Sequence, residues 1–399
     1  IKFKYIMRHT KYLFFIFFFS FLVSCNNSDT IPIVHLDSYL RLYTQDKEMV
    51  LNAVQSSQFE DITKYVNYGV SLYTITYKTT YKGETIKASG IVAFPETTDN
   101  VPILNFNHGT TSLHRDAPSE DLIQYSFFAN AASAGYIFVI PDYLGFGVSD
   151  NIVHPYYRSD ITGSTIVDMI KATKELAEIE GYNFNGNVFL SGYSEGGFAT
   201  MSAHKNLEEN NISGLKLIAS APAAGGYDIT GVLNYFLSLE TYHVPYYMAY
   251  VAISYKTSYD WDLSLNQIFN EPYASLIPQY FNGQYSGGQI NDVLNDTVNV
   301  LFTENFRNNV FTDPSLNLIA EAFNENSFNQ WIPKTKMFMY HGTSDITVPY
   351  QNSVDVYDNF ISNGVNPSLV EFIPLQSKTH STGALPYILD IFDKFEALK

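Results

Sequence analysis

The sequence predicts an α/β fold: one large domain with an insertion, built on a mostly parallel central sheet and preceded by an antiparallel hairpin. Three observations carry this. Short apolar runs, each ended by a turn signal, alternate with longer segments of helical character, as parallel sheets covered on both faces require. An early pair of alternating strands is joined by Tyr81-Lys82-Gly83-Glu84, a tight-turn sequence. A glycine-flanked serine, Gly192-Tyr193-Ser194-Glu195-Gly196, stands between an apolar run and a helical one.

The elements read in order as follows. Residues 37–66 are mixed and read as a short helical lead-in. From Val70 the alternation of Leu72, Thr74 and Thr76 with Tyr73, Ile75 and Tyr77 marks a strand, and Thr85 to Pro95 is its return partner. Pro102 to Phe106 is a more buried strand leading into Asn107-His108-Gly109-Thr110. A helical segment over 119–134 is closed by Gly135, and Tyr136 to Pro141 is the next strand. The turn from Asp142 to Ser149 carries two glycines but lacks the spacing and following helix of a dinucleotide-binding fingerprint. After a helix over 158–180 come the strand Val188-Phe189-Leu190, the serine and a helix from Ala199. Leu215 to Ala221, Lys336 to Tyr340 and Leu369 to Pro374 complete the sheet, and Pro386 to Ala397 closes the chain as a helix. Residues 226–331 interrupt the pattern as a helical insertion rich in tyrosine, with Pro245 and Pro272 breaking its helices. The core is thus assigned to 37–225 and 332–399.

Composition narrows the function. A formal charge of −17 and the absence of a basic stripe exclude nucleic acid as a partner. The single cysteine, Cys25, rules out an intramolecular disulfide and a cysteine-type structural zinc site. That cysteine follows a basic stub from Met7 and an apolar run from Tyr12 to Val23, too short to span a membrane comfortably and typical of an export signal. Leu22-Val23-Ser24-Cys25 resembles the lipobox of bacterial lipoproteins, which implies cleavage before Cys25, lipidation of its thiol and a lipid-anchored place in the cell envelope. Residues 1–25 are therefore set aside as the signal segment, with 1–6 an upstream extension, and 26–36 as a polar tether.

The chemistry is concentrated at Ser194. A G-x-S-x-G spacing between strand and helix makes a turn so sharp that the flanking positions must lack bulk, and it lifts the serine hydroxyl above the sheet edge. A serine hydroxyl needs a base within hydrogen-bond reach, and the base needs a carboxylate to orient it. In the α/β-hydrolase arrangement the acid and then the histidine follow the serine, each on a loop after a strand. Asp345 follows the strand 336–340, and His380 follows the strand 369–374, so both order and strand count agree. His341 lies too early in its loop to serve and is read as a packing residue; His204, on the helix after the serine, is read as exposed; Asp142 precedes the serine and is read as a turn cap. The backbone N–H groups of Glu195 and Thr110 are the expected oxyanion donors.

Several stretches together resemble the secretory-lipase group of α/β-hydrolases. They are Tyr77-Lys-Thr-Thr, Ala88-Ser-Gly-Ile-Val, His108-Gly-Thr, Pro141-Asp-Tyr-Leu-Gly, Ser191-Gly-Tyr-Ser-Glu-Gly-Gly and Ala221-Pro-Ala-Ala-Gly-Gly-Tyr-Asp. The likeness runs from about Ser71 to His380. It implies a lipase or carboxylesterase using Ser194, Asp345 and His380 on a small-molecule or lipid ester, without a cofactor or metal, and a lid formed by the insertion 226–331. A prolyl-type serine peptidase, an acyltransferase on the same fold and a non-catalytic surface-binding lipoprotein are the alternatives. If Thr110 serves only through its N–H, Thr110→Ala should lower kcat mildly and Thr110→Pro severely; equal losses in ester-hydrolysis assays would contradict that role.

Overall fold

The computed structural model describes residues 34–399. The expected signal segment, the lipobox with Cys25 and most of the tether lie outside the described residues.

A nine-stranded sheet organises the chain, in the order β1-β2-β3-β5-β4-β6-β7-β8-β9. β1 (Leu36–Gln45), β2 (Val70–Tyr81) and β3 (Glu84–Pro95) form an antiparallel edge, and β3 also pairs antiparallel with β5 (Ile137–Pro141). From β5 onward every pairing is parallel: β4 (Val101–Asn107), β6 (Phe184–Tyr193), β7 (Lys216–Ala223), β8 (Lys336–Gly342) and β9 (Val370–Leu375). The β2–β3 hairpin closes through Lys82 and Gly83, both at positive φ (51° and 81°), the two-residue turn whose twist matches that of its strands.

The helices are α1 (Lys47–Gln55), α2 (Leu122–Ala129), α3 (Ser159–Glu180) and α4 (Glu195–Asn210), then, between β7 and β8, α5 (Ile229–Ser238), α6 (Tyr246–Ser258), α7 (Tyr273–Tyr280), α8 (Gly287–Val293), α9 (Val298–Leu301), α10 (Glu304–Asn309) and α11 (Asn317–Asn326). α12 (Tyr350–Ser362) and α13 (His380–Glu396) complete the chain. The period-2 alternation of the strands sorts their side chains between two helical layers. Val188 and Leu190 of β6 pack toward α3 and α4, whereas Phe189 packs with Phe395 of α13. In β8, Met337 and Met339 meet Val356 and Phe360 of α12, and Phe338 and Tyr340 meet Tyr387 and Ile391 of α13.

Five expectations change. Residues 37–66 begin with β1, not helix, and Leu36, assigned to the tether, is already its first residue. The strand is anchored at long range: the Glu175 carboxylate on α3 accepts the N–H groups of Val34, His35 and Leu36 at 2.7–3.1 Å. α13 starts at His380, six residues before Pro386, because Thr379 caps it with a reciprocal capping box to Thr382. His380 is therefore the first residue of a helix and not a loop residue. His204 is fully buried instead of exposed, held by Ser220 Oγ at 2.7 Å and Glu208 at 2.8 Å beneath Trp331.

Glu175→Ala removes three charge-assisted bonds at the start of β1, each of a kind worth about 1.5–3 kcal/mol. Urea unfolding of this variant should show a clearly lowered midpoint with α3 otherwise intact; an unchanged midpoint would mean that β1 is held by its pairing with β2 alone.

Candidate active site

Ser194 sits between β6 and α4 with φ 62° and ψ −124°, a conformation that non-glycine residues avoid. It is locked there from both sides. Its N–H donates to Ala223 O (2.9 Å), and its carbonyl accepts from the N–H groups of Gly197 (2.9 Å) and Phe198 (3.2 Å). A Cβ on Gly196 would run into the Asn107 carbonyl oxygen of β4, and one on Gly192 into Gly196 O. The two flanking glycines of the motif are thus explained by the crossing of β4, β6 and α4 at one point.

His380 reaches this serine from the start of α13. Its Nε2 lies 2.9 Å from Ser194 Oγ and its Nδ1 2.7 Å from Asp345 Oδ2. Tyr193 OH donates to His380 O at 2.7 Å, tying the His380 backbone to the residue before the serine. The imidazole is partly open, with 15% of its side chain exposed, whereas the Asp345 side chain is fully buried.

Asp345, in the turn after β8, accepts the backbone N–H groups of Thr347 (2.9 Å) and Val348 (3.0 Å) on Oδ1. Its Oδ2 is shared by His380 and by His341 Nε2 at 3.2 Å. Burial by itself would push this carboxyl up, but the hydrogen bonds from His341 and His380 outweigh it and hold the pKa down at about 2. Asp345 is consequently ionised at any pH near neutrality. His341 does pack structurally, as expected, but with a consequence that sequence reading missed. Val348 O accepts from the same Nε2 at 3.1 Å, so that nitrogen carries the hydrogen, and Ser353 Oγ lies 2.6 Å from Nδ1. It is a fixed donor to the Asp345 carboxylate.

The loop after β4 passes beside the serine: a Cβ on Gly109 would lie 3.8 Å from Ser194 Cβ. Among the described residues, the backbone N–H groups of Thr110 and Glu195 donate to no protein acceptor. Thr110 Oγ1 is 2.9 Å from Tyr156 OH, a contact the sequence did not reveal. Asp142 is not a simple turn cap; it is wholly buried and accepts from Ser89 Oγ (2.5 Å) and from Ser119 N (2.8 Å) and Oγ (2.6 Å), fastening the β5 loop to β3. In front of Ser194 lies a cavity with about 520 Å³ of empty space, part of it open to solvent. Tyr156, Tyr157, Leu233, Phe236 and Met248 are among its walls, so α5 and α6 contribute directly. Among the described residues no cluster of three or more His, Cys, Asp or Glu side chains is arranged to hold a metal ion.

Lipase 6 of Candida albicans is 25% identical over 284 residues, covering 65% of this chain and 55% of that relative, so the match spans only about half the length of the curated protein. A crystal structure from Legionella pneumophila superposes with a TM-score of 0.81 at 28% identity, over 91% of this chain and 98% of that one. The rice cell wall degrading esterase LipA from Xanthomonas oryzae shares the fold with a TM-score of 0.79 at 23% identity, over 91% and 99% of the two chains. The family model described as secretory lipase matches residues 122–387, well over half of the chain and a stretch that contains Ser194, Asp345 and His380. On this match the chain belongs to the secretory lipase family.

Proposed function

We propose that the protein hydrolyses carboxylic esters through an acyl-enzyme on Ser194, with His380 as general base and acid and Asp345 as its orienting partner. The observation that carries this reading is the unbroken chain of short contacts, 2.9 Å from Ser194 Oγ to His380 Nε2 and 2.7 Å from His380 Nδ1 to Asp345 Oδ2, on a serine whose backbone cannot relax. Asp345 can only accept, so His380 Nδ1 bears the hydrogen and Nε2 is left free to take the serine proton.

As Oγ attacks the carbonyl carbon, its proton moves to Nε2. The charge that develops on the carbonyl oxygen is received by the N–H groups of Thr110 and Glu195, which have no other described acceptor. Collapse of the tetrahedral intermediate breaks the bond to the alcohol oxygen, which takes the proton from His380. Water then enters, gives its proton to Nε2 and attacks the acyl carbon, and the carboxylic acid leaves as Oγ regains a proton. The family membership supports the ester class of substrate. The apolar cavity at Ser194 suits the acyl portion, and the contribution of α5 and α6 to its walls supports a lid role for the insertion 226–331. Export and lipid anchoring at Cys25, with the protein held at the cell envelope, belong to the same reading and rest on the N-terminal sequence alone.

A fluorophosphonate probe should label the wild-type chain and fail to label Ser194→Ala, which should also lose hydrolysis of p-nitrophenyl esters. Asp345→Asn presents an amide donor to Nδ1, forces the wrong tautomer and should lower kcat by about 10⁴ while leaving the fold intact. Labelling that persists in Ser194→Ala, or an Asp345→Asn enzyme of normal kcat, would overturn the assignment.

A further inference from the structure

The helix that begins at Glu195 starts with a carboxylate in an awkward place. If the N–H of Glu195 receives the oxyanion, the side chain of the same residue puts a potential negative charge within one side-chain length of the charge that forms during the reaction. The Glu195 side chain is 5% exposed, so water does little to screen it.

Its partner is His154, from the segment between β5 and α3, whose side chain is 3% exposed. His154 Nε2 lies 2.7 Å from Glu195 Oε1, and its Nδ1 lies 2.6 Å from Leu144 O. A carbonyl oxygen only accepts, so Nδ1 carries a hydrogen. The Nε2–Oε1 contact also needs a proton, since an imidazole lone pair facing a carboxylate lone pair at that distance would repel. The two contacts together fix the proton count. The pair is either imidazolium with carboxylate or neutral imidazole with carboxylic acid, and its net charge is zero in both.

We propose that His154 is a positioning residue for the oxyanion hole: it supplies the proton that keeps Glu195 electrically neutral as a pair and clamps the first turn of α4 so that the Glu195 N–H stays aimed at the substrate. This rests on the oxyanion role given to Glu195 above. The surroundings fit it. Tyr143, Phe146, Tyr156 and Tyr250 enclose the imidazole with ring centroids 5.1–5.9 Å away, leaving the carboxylate a dry environment in which an uncompensated charge would be felt by the reaction. Burial pushes the phenols of Tyr143, Tyr156 and Tyr250 well up and the His108 imidazole down, so these neighbours are neutral when the enzyme works.

One comparison separates charge neutralisation by His154 from a merely structural role. A glutamine at 195 can donate its amide to His154 Nε2 but can never become charged, so the electrostatic cost of losing His154 should vanish in its presence. The kcat and KM of p-nitrophenyl ester hydrolysis are measured for wild type, His154→Ala, Glu195→Gln and the double variant. Removing His154 from the wild type should lower kcat at least about tenfold with KM within about twofold, whereas removing it from Glu195→Gln should cost less than about threefold. Equal costs in the two backgrounds would reduce His154 to packing, and no cost in either would remove it from the site; both overturn the inference. Should His154→Ala not fold, ¹⁵N spectra of histidine-labelled wild type and Glu195→Gln take its place: both must show His154 Nδ1 protonated, and a bare Nδ1 contradicts the proton count. Fluorophosphonate labelling of each variant keeps the two readings apart. A wild type that does not label defeats the Ser194 assignment itself, while normal labelling with equal costs defeats only the role of His154.

Discussion

The positive φ of Ser194 is the constraint from which the rest of the site follows. A side chain in that region of backbone space costs about 1–3 kcal/mol and survives only where the surroundings over-determine it. Here three strands and a helix do so. β7 holds the serine N–H through Ala223 O, and the first turn of α4 holds its carbonyl. β4 leaves no room for a Cβ at position 196, and the Gly196 carbonyl of α4 leaves none at position 192. The benefit of the strain is directional. Oγ is lifted off the sheet toward His380, and the N–H of Glu195 beside it is left without a protein acceptor among the described residues.

The remaining parts arrive from strand ends that the parallel sheet brings to one edge. β4 delivers Gly109 and Thr110, β8 delivers Asp345, and β9 leads within five residues to His380. None of these is left to find its orientation alone. His380 is fixed through the Thr379 cap of α13 and through Tyr193 OH on its carbonyl. Asp345 has all its acceptor positions engaged, two by backbone and two by imidazoles, which is why a wholly buried carboxylate stays ionised. The site contains two acidic groups close to the serine with opposite treatment: Asp345 is paired so that its charge is kept, and Glu195 is paired so that its charge is cancelled.

Much of this was legible in the sequence because it is encoded locally. The Gly-x-Ser-x-Gly spacing, the strand before it and the turn residues Lys82-Gly83 act on their immediate neighbours, and the order of Asp345 and His380 after Ser194 follows from the strand count. What escaped the sequence depends on partners far apart in the chain. β1 reads as polar and mixed, since its start is held by Glu175 some 140 residues away. His204 reads as outward-facing until Trp331 is folded over it. His341 and His154 each look like isolated histidines, and their importance appears only when Asp345 and Glu195 are found at their Nε2 atoms. The start of α13 differs for another reason: Pro386 resembles a helix boundary, and the cap at Thr379 outweighs it.

The arrangement around Ser194 is tested most directly by the crystal structure of the protein after reaction with a phosphonate ester that mimics the tetrahedral intermediate. Phosphorus should be bonded to Ser194 Oγ, with the phosphonyl oxygen about 3 Å from both the Thr110 and Glu195 nitrogens and His380 Nε2 facing the leaving-group position. A phosphonate bonded to another residue, or one whose oxygen points away from those two N–H groups, would contradict it.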